Sequence, residues 1–284
     1  MGFKRIEWIF FIAFLGVNIF LINIYIGSRN DQSIITTSSQ KIAIEQRLEN
    51  DDITYDGTLS SVSETGYYLS GTATTMQSLY NENATDNKKL LNDGTTTFDG
   101  TKLTHTLSEH FLVKDKEQLA KASQTYWKKR VMNGSEYTYQ VHFSTIGENQ
   151  VELTATQSYE GIPINDSSSQ LVFSFTSENG QYVNKNYTQT YVANLTPLRE
   201  KMTLYSEKDA INTLYINNRI AKKATIEWIQ LAYTLILNVR GQNVYVPAWF
   251  VSIEKADKST QTEIVNAFSN RIITNASVRK VENY

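Results

Sequence analysis

The nineteen residues from Trp8 to Ile26 carry no charge, and no other feature restricts the chain as much. As a helix rising about 1.5 Å per residue they span roughly 28 Å, close to the hydrocarbon thickness of a bilayer. Trp8 and Tyr25 stand at the two ends, where amphipathic rings favour the headgroup level. The competing reading is a secretory signal that is later removed. Against it, the apolar run exceeds the usual h-region, and Tyr25-Ile26-Gly27-Ser28 is a poor cleavage site. Lys4 and Arg5 precede the run, whereas Arg29 and Asp31 cancel after it. The positive-inside bias then predicts a cytoplasmic tail over residues 1–7, a single-pass anchor over 8–26 in the cell membrane, and an extracytoplasmic remainder.

Asn18 is the polar exception near the middle of this span. A side-chain amide in hydrocarbon gains from a partner on another helix, by about 0.6–2 kcal/mol, and Ala13 and Gly16 are small enough to admit one nearby. Asn18, Ala13 and Gly16 are therefore the candidate transmembrane contact residues. The alternative is that a bent or wetted bilayer tolerates Asn18. Asn23 lies nearer the interface.

Beyond the anchor, residues 27–38 read as a polar linker. The remainder is rich in Tyr and Thr, with 17 Tyr against 3 Pro, a composition suited to half-buried sheets. A short helix is expected near 39–51, and strands over 53–75 and 95–107, with a hairpin turn at Asp99-Gly100. A helix over 115–132 would be capped by Asp115 and bury Leu119, Ala122, Tyr126 and Trp127, ending at Asn133-Gly134. Tyr137, Tyr139, Val141 and Phe143 alternate with polar residues, as do Val151, Leu153, Ala155 and then Leu171, Phe173, Phe175. These predict inward strand faces. Asn179-Gly180 is the strongest hairpin signal. Ser206 with Asp209 predicts a capping box opening a helix over 206–218, followed by strands over 225–237, 243–254 and 262–268. The expected class is α+β, antiparallel sheets each packed with a helix. The expected units are an extracytoplasmic subdomain over 39–134 and a second over 135–284.

Chemistry is scarce in this chain. It has no cysteine, which excludes disulfides, thiol nucleophiles and thiolate metal sites. A net charge of −2 gives no general attraction to nucleic acid. His105 and His110 are five apart, a spacing that cannot share a metal on a helix, and all three histidines read as surface residues. Ser38-Ser39-Gln40-Lys41 and Ser252-Ile253-Glu254-Lys255 match S-x-x-K, without the companion elements that such catalysis needs. No Walker loop, G-x-S-x-G elbow or dinucleotide fingerprint occurs. No catalytic residue, cofactor site or metal site is expected.

Four stretches nevertheless carry a resemblance. Lys4-Arg5-Ile6-Glu7-Trp8-Ile9-Phe10, continued by Val17-Asn18-Ile19-Phe20-Leu21, is similar to the amino terminus of the YycI (WalI) proteins of Gram-positive bacteria. Tyr159-Glu160-Gly161-Ile162-Pro163-Ile164, Ala210-Ile211-Asn212-Thr213-Leu214-Tyr215 and Tyr245-Val246-Pro247-Ala248-Trp249 follow in the family's order. The resemblance implies an accessory regulator of the cell-wall sensor histidine kinase WalK (YycG), complexed with YycH through transmembrane helices. It also implies an outer fold shared in part with YycH, and it transfers no ligand site. Homo- or hetero-oligomerisation is left open. The alternative function is an anchored wall-polymer binding module or hydrolase.

Overall fold

Short polar–apolar alternations separated by tight turns build most of this molecule. The computed structural model describes residues 42–274 and 279–281, together with Trp8, Phe11, Phe14, Leu15, Val17 and Asn18, all six helical. No helix among the described residues is long and apolar enough to cross a membrane. The span 8–26 lies mostly outside them. The chain divides into two compact units, Met1–Asp52 and Ile53–Tyr284. In the first, the helix Ile44–Asn50 buries Ile44 and Leu48 and ends at Asp52, whose φ is +57°. It starts later than expected, leaving Ile42 exposed.

The second unit holds two large sheets. One has seven strands, in the order Gly94–Asp99, Lys102–Val113, Gln181–Thr190, Gln170–Glu178, Gln150–Thr156 and Thr138–Tyr139, with Thr145–Ile146 also on Gln150–Thr156. The other has eight and centres on the long hairpin Thr225–Val239 and Gln242–Glu254, joined by Thr260–Asn266 and Leu69–Ala73. The chain passes from the smaller sheet to the larger at Tyr191, between Gln181–Thr190 and Val192–Pro197. The smaller sheet is thus nested in sequence between parts of the larger, which takes Thr54–Tyr55 and Leu69–Ala73 from before it. Expected as antiparallel, the larger sheet is mixed: Thr54–Tyr55 and Arg279–Val281 both pair with Thr225–Val239 in parallel. Two helices that the sequence pattern did not signal, Met76–Glu82 and Ala84–Leu90, fill the connection between the sheets.

Local chemistry explains the turns. Asn179 and Gly180, at φ +51° and +76°, form the two-residue link of a hairpin in which Glu178 faces Gln181. Left-handed backbone matches the twist of the strands there, and Asn and Gly reach it most cheaply. Arg240-Gly241 closes the long hairpin in the same way. Ser206 and Asp209 form the expected capping box on the helix Glu207–Ile216, which buries Ala210, Ile211 and Leu214. Asp115 opens only a 3-10 turn before Leu119–Arg130, and it accepts from the Gln118 side chain rather than capping the backbone.

The smaller sheet and the helix Leu119–Arg130 enclose the main core, in which Leu171, Phe173, Phe175, Val151, Leu153, Ala155, Leu119 and Trp127 are buried as expected. Ala122 and Tyr126 pack at its margin. The expectation for Val141 is corrected: it is 53% exposed. The strand stops at Tyr139, and Val141–Phe143 turn as a 3-10 helix. The turn lets His142 stack on Trp228 of the larger sheet at 4.9 Å and brings Phe143 against Phe250. Ser144 Oγ ties the turn down, donating to Gln140 O and accepting from Thr154 N–H.

A tyrosine-lined cleft as candidate functional site

Of the expected contact residues, Asn18 alone is described, on a helical stretch whose Trp8, Phe11, Phe14, Leu15 and Val17 are exposed. Its Nδ2 donates to Phe14 O at 2.9 Å within its own helix. One amide donor is thereby satisfied locally, and the side-chain oxygen remains an acceptor. Ala13 and Gly16 lie outside the described residues.

The second unit carries a cleft of about 250 Å³ lined by Glu64, Thr65, Gly66, Tyr67, Glu160, Ile162, Lys201 and Tyr233. One wall is a small ribbon, Thr65–Gly66 paired with Met202–Thr203. Gly66 packs closely there: a Cβ would stand 3.2 Å from Pro247 Cγ and 3.4 Å from the Leu204 side chain, so those side chains would have to shift by a few tenths of an ångström. The opposite wall is a tight hairpin in which Tyr159 faces Ile162. Glu160 and Gly161, at φ +47° and +85°, form its turn and hold the Glu160 carboxylate at the rim. Ile164 bridges to Tyr233, and Asn165 N–H donates to Tyr233 O, so the hairpin is fixed to the larger sheet.

Inside the cleft, Lys201 Nζ donates to Glu160 Oε2 at 2.8 Å and lies 5.3 Å from the Tyr67 ring centre. Tyr67 and Tyr159 meet edge-to-face at 88°. The hydrogen bond that Lys201 donates to Glu160 is the main cause that raises its ammonium above the ordinary range. Tyr233 is buried, and burial pushes its phenol up to about 12. Its oxygen accepts from Tyr67 N–H at 3.4 Å, which ties the ribbon wall to the larger sheet. The arrangement suits binding: two aromatic walls, a carboxylate, an ammonium and a phenol. The motif residues Glu160 and Ile162 line it and Pro247 supports it, a convergence that their separation in sequence concealed.

A correction concerns His105, expected at the surface and found fully buried. Its Nε2 lies 3.0 Å from Asp93 Oδ1 and its Nδ1 2.8 Å from Thr96 Oγ1, while Tyr126 O–H donates to Asp93 Oδ2. With a neutral imidazole, the carboxylate accepts from Nε2–H and the hydroxyl donates to Nδ1. The order hydroxyl, imidazole, carboxylate matches a nucleophilic triad, yet the ring is enclosed beneath Tyr187 at 5.3 Å. Leu103, His105 and Leu107 share the inward face of Lys102–Val113, and this period-two spacing is the sequence signal for the burial of His105. Ser252, from the second S-x-x-K match, is buried in mid-strand and donates to Glu227. Ser38 and Lys41 lie outside the described residues. Among the described residues, no three His, Asp or Glu are grouped to hold a metal ion.

Fold and cleft together define a two-sheet α+β protein with a tyrosine-lined cleft. Its architecture is similar to that of an uncharacterized protein from Eubacterium rectale ATCC 33656, known from a 1.45 Å crystal structure. The TM-score is 0.51 and the identity 9%, with 80% of this chain and 92% of that one covered, which is a likeness of fold. No curated protein matches the sequence. The family model described as YycI protein matches residues 31–268, and the chain belongs to that family. Membership implies a regulator of the WalK/YycG two-component system.

Proposed function

We propose that this chain is a single-pass membrane regulator of the sensor kinase WalK/YycG, with a cytoplasmic amino terminus and residues 27–284 outside. It works without catalysis, in a complex with the kinase and YycH, through helix contacts made by residues 8–26. The family match over residues 31–268 is the observation that carries the reading. Further support comes from the exposed apolar side chains of Trp8, Phe11, Phe14, Leu15 and Val17, which suit a lipid or helix environment better than water. The regulatory partner must distinguish two arrangements of the complex, because equal affinity for both shifts nothing.

The test replaces residues 8–26 with an unrelated apolar helix and compares it with Asn18→Leu at matched abundance. Kinase co-purification and a wall-stress transcriptional reporter are the measurements. The exchange should abolish both. Asn18→Leu should weaken association about three-fold, the low end for a polar helix contact, because its amide already donates to Phe14. Full regulation by the exchanged chain would overturn the reading.

A further inference from the structure

Lys201 sits in the tyrosine cleft as a ligand would. Its ammonium lies over the face of Tyr67, the ring of Tyr159 stands at 88° to that of Tyr67, and the Glu160 carboxylate closes the site at 2.8 Å. A ring face, held in place by a second ring and paired with a carboxylate acceptor, is the chemistry by which proteins hold alkylammonium groups. The lysine is nonetheless poorly secured. The Lys201 and Glu160 side chains are 44% and 47% exposed, so water and salt weaken the pair. Lys201 lies on the short segment between Val192–Pro197 and Met202–Thr203, flanked by exposed Leu198 and Met202. The acceptor, by contrast, is fixed. Glu160 occupies a left-handed turn position, and Ile164 and Asn165 anchor the hairpin to Tyr233.

We propose that the cleft is a receptor for a primary ammonium on a flexible aliphatic stem, as a peptide lysine presents it. Lys201 is the resident occupant that such a ligand displaces. Glu160 accepts from the incoming ammonium, Tyr67 offers its face, and Tyr233 supports Tyr67 from beneath by accepting from its N–H. The carboxylates of Glu64 and Glu160 outnumber the single Lys201 charge, so the lining is net acidic once Lys201 swings out. Only the side chain of Lys201 needs to move, because backbone hydrogen bonds from Leu198 N–H to Tyr68 O and between Met202 and Gly66 hold its segment in place. The site stands on this geometry and is independent of the kinase reading.

The experiment uses the full chain in detergent micelles and n-butylammonium as the probe, at ionic strength matched with sodium chloride. Apparent affinity is read from the shift in melting midpoint, since a ligand bound only to the folded state stabilises it. An exposed ion pair with one ring contact holds its lysine at odds of roughly five to one. Vacating the site by Lys201→Ala should therefore tighten the probe about six-fold. Lys201→Met, which retains the stem, should behave likewise and serves where the alanine variant folds poorly. Adding Glu160→Gln should abolish the shift, and n-butanol should give none. Acetyl-lysine methylamide should bind better than glucosamine, separating a peptide side chain from an amino sugar. Equal affinity in the parent and both Lys201 variants, or a shift that survives Glu160→Gln, would overturn the proposal.

Discussion

Two side chains show how far a residue's place depends on what crosses from another sheet. Val141 alternates with its neighbours as an inward strand residue would, yet it is exposed, because Phe143 leaves the strand to cover Phe250. Val141→Asp should therefore change unfolding free energy by less than about 0.5 kcal/mol. Val151→Asp, which buries a charge beside Phe175, should cost more than about 3 kcal/mol. Urea denaturation of both variants checks this, and comparable losses would restore the strand register. His105 is the converse case. His105→Leu should destabilise the protein by about 2–3 kcal/mol, because it strips hydrogen bonds from Asp93 and Thr96 inside the fold. His142→Ala, which loses only an exposed stack on Trp228, should cost less than about 1 kcal/mol. Denaturant titration should rank the pair in that order.

At the scale of elements, signals confined to a few adjacent residues were the legible ones. The capping box at Ser206 and Asp209 needs no partner beyond its own first turn, and it forms as its spacing predicts. Ser206→Ala should cost about 1 kcal/mol by thermal melting. Gly134→Ala should cost more, because a Cβ there would collide with Trp127 O and force the chain off the helix end. A Gly134→Ala variant as stable as the parent would show that this packing is looser than described. Asn179-Gly180 was legible for the same local reason. The helices Met76–Glu82 and Ala84–Leu90 were not. Each is two turns long and polar, and Asn87, buried between them, holds them by donating to Leu79 O and Tyr80 O. The cleft was illegible as a site, since Tyr67, Glu160, Lys201 and Tyr233 come from four separate segments. The Tyr159–Ile164 stretch, quoted for its family likeness, supplies Glu160 and Ile162 to the lining, but nothing in its chemistry marks a site.

For the whole molecule, family and class were readable from motif order and alternation, whereas the nesting of one sheet inside the other was not. Short-range patterns fix which residues face inward, but not which distant strand completes a sheet. That nesting has a temporal consequence. Thr54 and Thr225, hydrogen-bonded neighbours in the larger sheet, are separated by 171 positions. At about 5–20 residues per second, roughly ten to thirty seconds pass between their emergence from the ribosome. The smaller sheet's strands, Gly94–Asp99 through Gln181–Thr190, are all synthesised within that interval. A nascent chain therefore carries every strand of the smaller sheet while Leu69–Ala73 still waits for Gln242–Glu254, its edge open to any passing strand. Gln242–Glu254, Thr260–Asn266 and Arg271–Ile273 complete the larger sheet, so a stop codon ahead of them should cost the molecule far more than an equal loss of length would suggest.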